Sequence, residues 1–183
     1  MKPLDITRFR RDQEFSKLLV GRRDIDIVIA ALELSRDADP DLSFEPSLAW
    51  IQQRADELTG QLAGCSDEKA MLRCIVNCLA SEYGLHGDES CYECPESSFL
   101  DQVIQTGTGL PITLSVLYCA VAERVGVPLK LVPAPQHVVC RLVTDHEAVY
   151  VDPFFEGRVL SEAECLAWLS VRTQLDPRDL LPT

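Results

Sequence analysis

His137 and Asp152 carry the groups that proton transfer needs, an imidazole and a carboxylate. They bound two segments of alternating apolar residues, 137–143 and 147–152, in which Val138, Cys140 and Leu142 match Val149 and Val151. A turn at Thr144-Asp145-His146 pairs the segments as a hairpin. With Thr144-Asp145 as the loop, His137 lies opposite Asp152. With Asp145-His146 as the loop, Asp152 lies opposite Val139 and diagonal to His137. Either register leaves both side chains on one face, because side-chain direction alternates along a strand. A carboxylate beside an imidazole fixes its tautomer and raises its basicity, the base–orienter relation of a catalytic triad. The plain alternative is a surface His–Asp contact with no chemistry.

Eight cysteines are the other reactive groups. The start, Met1-Lys2-Pro3-Leu4-Asp5, lacks the apolar stretch of a signal peptide, and no apolar run approaches the ~20 residues of a membrane span. The expectation is a cytoplasmic protein with reduced thiols. Cys91 and Cys94 form a C-x-x-C, and Cys74 and Cys78 share a helix face. Four thiolates in that spacing suit a tetrahedral zinc site, so a zinc-stabilised interaction domain is one alternative. The simpler reading makes Cys74 and Cys78 part of an apolar stripe, with no metal and no cofactor. Cys119 and Cys140 read as core, while Cys65 and Cys165 have no evident partner. His86 and His146 fall in loops and are expected to be exposed.

The elements that must position these groups follow from periodicity. Helical spacing marks 24–36, 47–62 and a third helix capped by Asp67 and running through Leu79. Residues 84–95 read as a loop rich in Gly and acids, and a short helix follows with Phe99, Leu100, Val103 and Ile104 on its face. The helix over 111–125 is the most apolar, with Pro111 in its first turn and Gly126 as its stop. Residues 128–132 and the two hairpin segments read as strands, and Ser161 with Glu164 marks a capping box for a last helix over 161–169. Helices first and a small antiparallel sheet afterwards make the fold class α+β, one domain over 1–183 with a helical part to 83 and a core from 84. A net charge of −12, from 17 basic and 29 acidic residues, argues against nucleic acid or an anionic membrane as partner.

Several motifs together carry a family resemblance. They are Tyr92 and Pro95; Ser98-Phe99-Leu100; Gly109-Leu110-Pro111-Ile112-Thr113-Leu114-Ser115; Arg124-Val125-Gly126-Val127-Pro128; Pro135-Gln136-His137 with Arg141; and Val151-Asp152-Pro153-Phe154 with Gly157. This run closely resembles the bacterial SirB-type transglutaminase-like family. The resemblance implies a papain-like core: a helix whose amino end meets a His-bearing strand, with Asp on the next strand. It implies His137 as base and Asp152 as orienter, with Gln136, Pro111, Ile112, Thr113, Ser115 and Tyr92 lining a cleft. The family usually has Gly where this chain has Gln136.

Active members of the wider superfamily carry a cysteine at that helix start, where the helix dipole and an imidazolium lower its pKa. The slot at Pro111-Ile112 holds none, and Cys119 lies about 10 Å further along the helix. Thr113 and Ser115 offer hydroxyls, although caps and packing are the usual roles of such groups. Cys91 and Cys94 are thiols that a preceding loop could bring in. The acids Asp88, Glu89, Glu93 and Glu96 solvate that loop or select a basic or amide-bearing peptide. The leading reading is a transglutaminase-like protein that keeps a His–Asp pair, lacks the usual nucleophile and binds a peptide or protein segment in a regulatory role. The alternative is a cysteine-type amide hydrolase or acyltransferase with His137 as base.

Overall fold

The computed structural model describes residues 11–144 and 147–181. Seven α-helices are seen among them: α1 (Gln13–Leu19), α2 (Ile27–Ser35), α3 (Glu45–Leu62), α4 (Glu68–Val76), α5 (Leu100–Thr106), α6 (Pro111–Arg124) and α7 (Glu162–Thr173). The strands β1 (Leu129–Ala134), β2 (His137–Val143), β3 (Ala148–Asp152) and β4 (Arg158–Ser161) form one antiparallel sheet in sequence order. The fold class is α+β, as the order of sequence patterns predicts. No helix among the described residues is long and apolar enough to cross a membrane.

Caps set the helix starts. The Asp67 side chain accepts from Ala70 N at 2.8 Å, and Ser161 and Glu164 close a reciprocal capping box on α7. The first long helix begins later than its expected start at Asp24. Asp24 is taken by Arg22, and Asp26 accepts from the amides of Val28 and Ile29 instead. Beyond α4 the chain continues as a π turn, Asn77–Glu82, which buries Cys78 and Leu79. The expected loop at 84–95 contains a 3-10 turn, Glu89–Tyr92, and a second, Pro95–Ser98, follows it. β1 runs past its expected end through Pro133, which an edge strand tolerates.

Helix α6 is apolar on nearly every side, the signature of a helix inside the core. Leu114, Leu117, Tyr118 and Val121 are fully buried, packed with α3 and α4 and against the sheet face bearing Cys140, Leu142, Val149 and Val151. Helix α7 covers the other face, where Cys165 and Leu169 pack on Val132, Val139 and Tyr150. The β2–β3 register pairs Cys140 with Val151 and Val143 with Ala148, and Thr144 N donates to Glu147 O at 3.1 Å. This is the second of the two expected registers, with the loop at 145–146. Asp145 and His146 themselves lie outside the described residues, as does the expected exposure of His146.

Candidate functional site

His137 begins β2 directly after a tight turn, Pro135-Gln136, that returns the chain from β1 with Ala134 paired to His137. Gln136 has φ 58, a left-handed conformation that favours glycine. The resembled family usually carries Gly here, which takes this conformation without strain, and Gln136 itself is exposed. Asp152 ends β3, and Pro153 after it lacks the N–H needed to continue the ladder. The observed register makes His137 and Asp152 diagonal neighbours on the α7 side of the sheet.

The imidazole meets the carboxylate through Nε2, 3.0 Å from Asp152 Oδ1, and both side chains are 0% exposed. The carboxylate accepts and Nε2 donates, which leaves Nδ1 as the ring nitrogen turned away from Asp152. Nδ1 is buried and has no hydrogen-bond partner among the described residues. The other oxygen of Asp152 accepts from Arg158 Nη2 at 3.3 Å. Trp168 lies edge-on to the imidazole at 4.9 Å between ring centroids, with Phe154 at 5.9 Å and Phe155 at 6.1 Å. Arg158 covers Trp168, its guanidinium carbon 4.5 Å from the ring centroid.

Phe154 links this chamber to the surface. Its ring packs on Tyr92 at 5.8 Å, and Tyr92 is about half exposed. The 84–92 segment holds it from above: Gly87 N donates to Phe154 O, and a Cβ on Gly87 would lie 2.0 Å from the Phe154 ring. Arg158, Phe155 and Trp168 were not singled out from the sequence, and Phe154 only as part of a motif. Phe154 was within reach, because it belongs to the Asp152-Pro153-Phe154 motif. Arg158 and Trp168 carry no local signal, since the first lies on the four-residue strand β4 and the second on a helix distant in sequence.

Pro111, Ile112, Thr113 and Ser115 lie on α6, which packs against the opposite face of the sheet. Pro111 occupies the first turn and is buried, while Ile112 is 45% exposed. Thr113 Oγ1 donates weakly to Ser98 O at 3.5 Å, and Ser115 Oγ is buried without a partner among the described residues. No thiol or hydroxyl among the described residues hydrogen-bonds the free nitrogen of His137.

The cysteines divide by environment. Cys91 is buried as the N3 residue of its own turn, where its sulfur accepts from Asp88 N at 3.4 Å. Two bonds from Ser90 hold the Asp88 carboxyl below its ordinary range. Cys94 is exposed. The four thiols of the zinc alternative do not converge, and no group of three or more metal-ligating side chains is found among the described residues. The zinc expectation is corrected on that geometry. Cys78 is core, and burial pushes its thiol up to about 11. Cys74 faces Cys65 at 3.6 Å, a proximity that sequence spacing did not show. Cys140 is fully buried, its thiol raised by burial above all, and it contacts Cys119 at 3.8 Å.

His137 and Asp152 thus form a buried imidazole–carboxylate pair where β2 begins and β3 ends in an α+β core. A sequence model of the transglutaminase-like superfamily matches residues 45–183. The chain belongs to that superfamily. It is 31% identical over 145 residues to a UPF0162 protein of Xylella fastidiosa, an alignment covering 79% of this chain and 52% of the relative. A UPF0162 protein of Vibrio cholerae is 27% identical over 146 residues, covering 79% of this chain and 54% of that protein. The human F-box only protein 21 is 35% identical over 131 residues, 67% of this chain and 20% of that protein. The chain thus spans about half the length of the bacterial relatives. No solved structure matches it.

Proposed function

We propose that this chain is a transglutaminase-like protein of the SirB type that recognises a peptide or protein segment through the His137–Asp152 region and performs no conventional acyl transfer. The observation that carries this reading is the state of His137. Its basic nitrogen is buried and unpartnered, while the helix position where the superfamily needs a thiol holds Pro111. An imidazole with no thiol or hydroxyl beside it does not favour acyl transfer, and because it is fully buried the segment is met by the exposed side chains around it. Exposed apolar side chains supply the contact surface: Tyr92, whose ring backs onto Phe154, and Phe155 beside the imidazole. The role is regulatory and cytoplasmic, exercised through a bound segment rather than a product.

The test pairs a reaction with a binding measurement. The chain is incubated with a glutamine-bearing peptide and a fluorescent alkylamine, and a displayed library of random peptides is panned on the same chain. The expected result is no amine incorporation and no ammonia release, together with peptides whose binding falls in a Phe154→Ala variant. Amine incorporation that stops when the thiols are blocked would support the cysteine-enzyme alternative instead.

A further inference from the structure

We propose that Arg158 and Arg172 form a seat for a carboxylate carried by the bound segment, at the mouth of the His137–Asp152 chamber. The inference deepens the peptide-binding reading and rests on it for the origin of the carboxylate. Both guanidiniums lie over the same two rings. Arg158 is 4.5 Å from the Trp168 centroid and 5.1 Å from that of Phe155, and Arg172 is 5.8 Å and 5.9 Å from them. The rings themselves meet edge to face at 5.4 Å. Trp168 also touches His137, so the pair of cations stands one ring away from the imidazole.

The chain carries −12 net charge, so acids are abundant and a basic side chain without one is informative. Arg172 makes no ion pair or hydrogen bond among the described residues. Arg158 spends one N–H group on Asp152, at the long distance of 3.3 Å, and its Nε is buried without a partner among the described residues. A buried donor left unpaired is uncommon in folded proteins. Guanidiniums stacked on aromatic faces are held in plane, with donors directed to the rim where a carboxylate accepts two N–H groups at once. Two like charges on one aromatic pair repel, and an anion between or beside them relieves that repulsion. Placement on Arg158 also loads the residue that shares Asp152 with His137, so an occupied seat reports directly to the imidazole.

The experiment titrates the 15N-labelled chain with four probes: N-acetyl-alanyl-alanine as the free acid, its terminal amide, an N-acetyl-Ala-Glu-Ala amide, and inorganic phosphate. The expected result is a saturable shift of the Trp168 indole N–H with the free acid or the glutamate peptide, and not with the uncharged amide. The Trp50 indole, covered by Arg54 and edge-on to Tyr83, serves as internal control. The response to the two carboxylate probes tells a chain end from an acidic side chain. Arg172→Gln weakens binding roughly tenfold and Arg172→Lys by less, since charge survives and the planar fork does not. Equal binding of acid and amide, unchanged by Arg172→Gln, overturns the carboxylate seat while peptide recognition stands. No response to any probe overturns both. Inorganic phosphate that shifts Trp168 when no peptide does would retain the anion seat and remove the peptide reading.

Discussion

Asp152 links buried His137 to the partly exposed Arg158, so removing this middle member costs more than one contact. Asp152→Ala leaves an imidazole N–H unpaired in an apolar chamber and strips Arg158 of its acid. We expect a loss of about 2–4 kcal/mol in stability, read as a lower urea midpoint. Gln136→Gly has the opposite sign. It relieves a left-handed backbone at φ 58 and should raise stability by about 1 kcal/mol in the same assay. At this level the sequence was partly legible. Strand alternation alone places His137 and Asp152 on one face, and Gln136 stands where a glycine is usual. Arg158 and Trp168 were out of reach because tertiary packing brings them to the imidazole and no local pattern marks them.

The elements explain why the site is closed. The β2–β3 register offsets the pair diagonally, and the turn at Gly87 clamps Phe154 beside it. Gly87→Ala forces a methyl into the Phe154 ring, which Tyr92 and His137 flank. A loss of about 1–3 kcal/mol is expected, with altered near-ultraviolet circular dichroism from the displaced aromatics. Caps give a pH signature. Backbone hydrogen bonding holds the Asp67 carboxyl below its ordinary range, and bonds from Ser90 do the same for Asp88. A carboxyl lowered in the folded state stabilises above its unfolded pKa of about 3.9, and that contribution is lost as pH falls through the lower folded value. Urea midpoints should therefore drop below about pH 4, and less steeply in Asp67→Asn. Most helices and three of the four strands were visible as periodic runs bounded by Pro, Gly or capping residues. Helix α1 and strand β4 were not. The first buries no side chain, and the second is four residues of weak alternation.

Across the molecule, the part matched to the superfamily begins at residue 45, so α1 and α2 precede it. Helix α1 is attached to α2 by polar contacts: Phe15 N donates to Glu33, Asp26 N donates to Glu14, and Arg36 pairs with Asp12. Little apolar area is sealed there, so α1 should exchange its amide hydrogens first and α6 last, with the gap widening as salt screens the Arg36–Asp12 pair. Hydrogen-exchange mass spectrometry at two ionic strengths checks both statements. The eight thiols that the sequence presents are, in the fold, mostly packing groups. Burial raises Cys78 and Cys165 to about 11, and Cys91 is held by Asp88 N. Whether His137 activates any thiol is decided most directly by iodoacetamide labelling near pH 7, with peptide mapping, in the native chain and in a folded His137→Gln variant. The expected result is slow labelling, led by exposed Cys94 and identical in the two proteins. One cysteine that labels fast in the native chain and loses that rate in His137→Gln would contradict a site without a nucleophile.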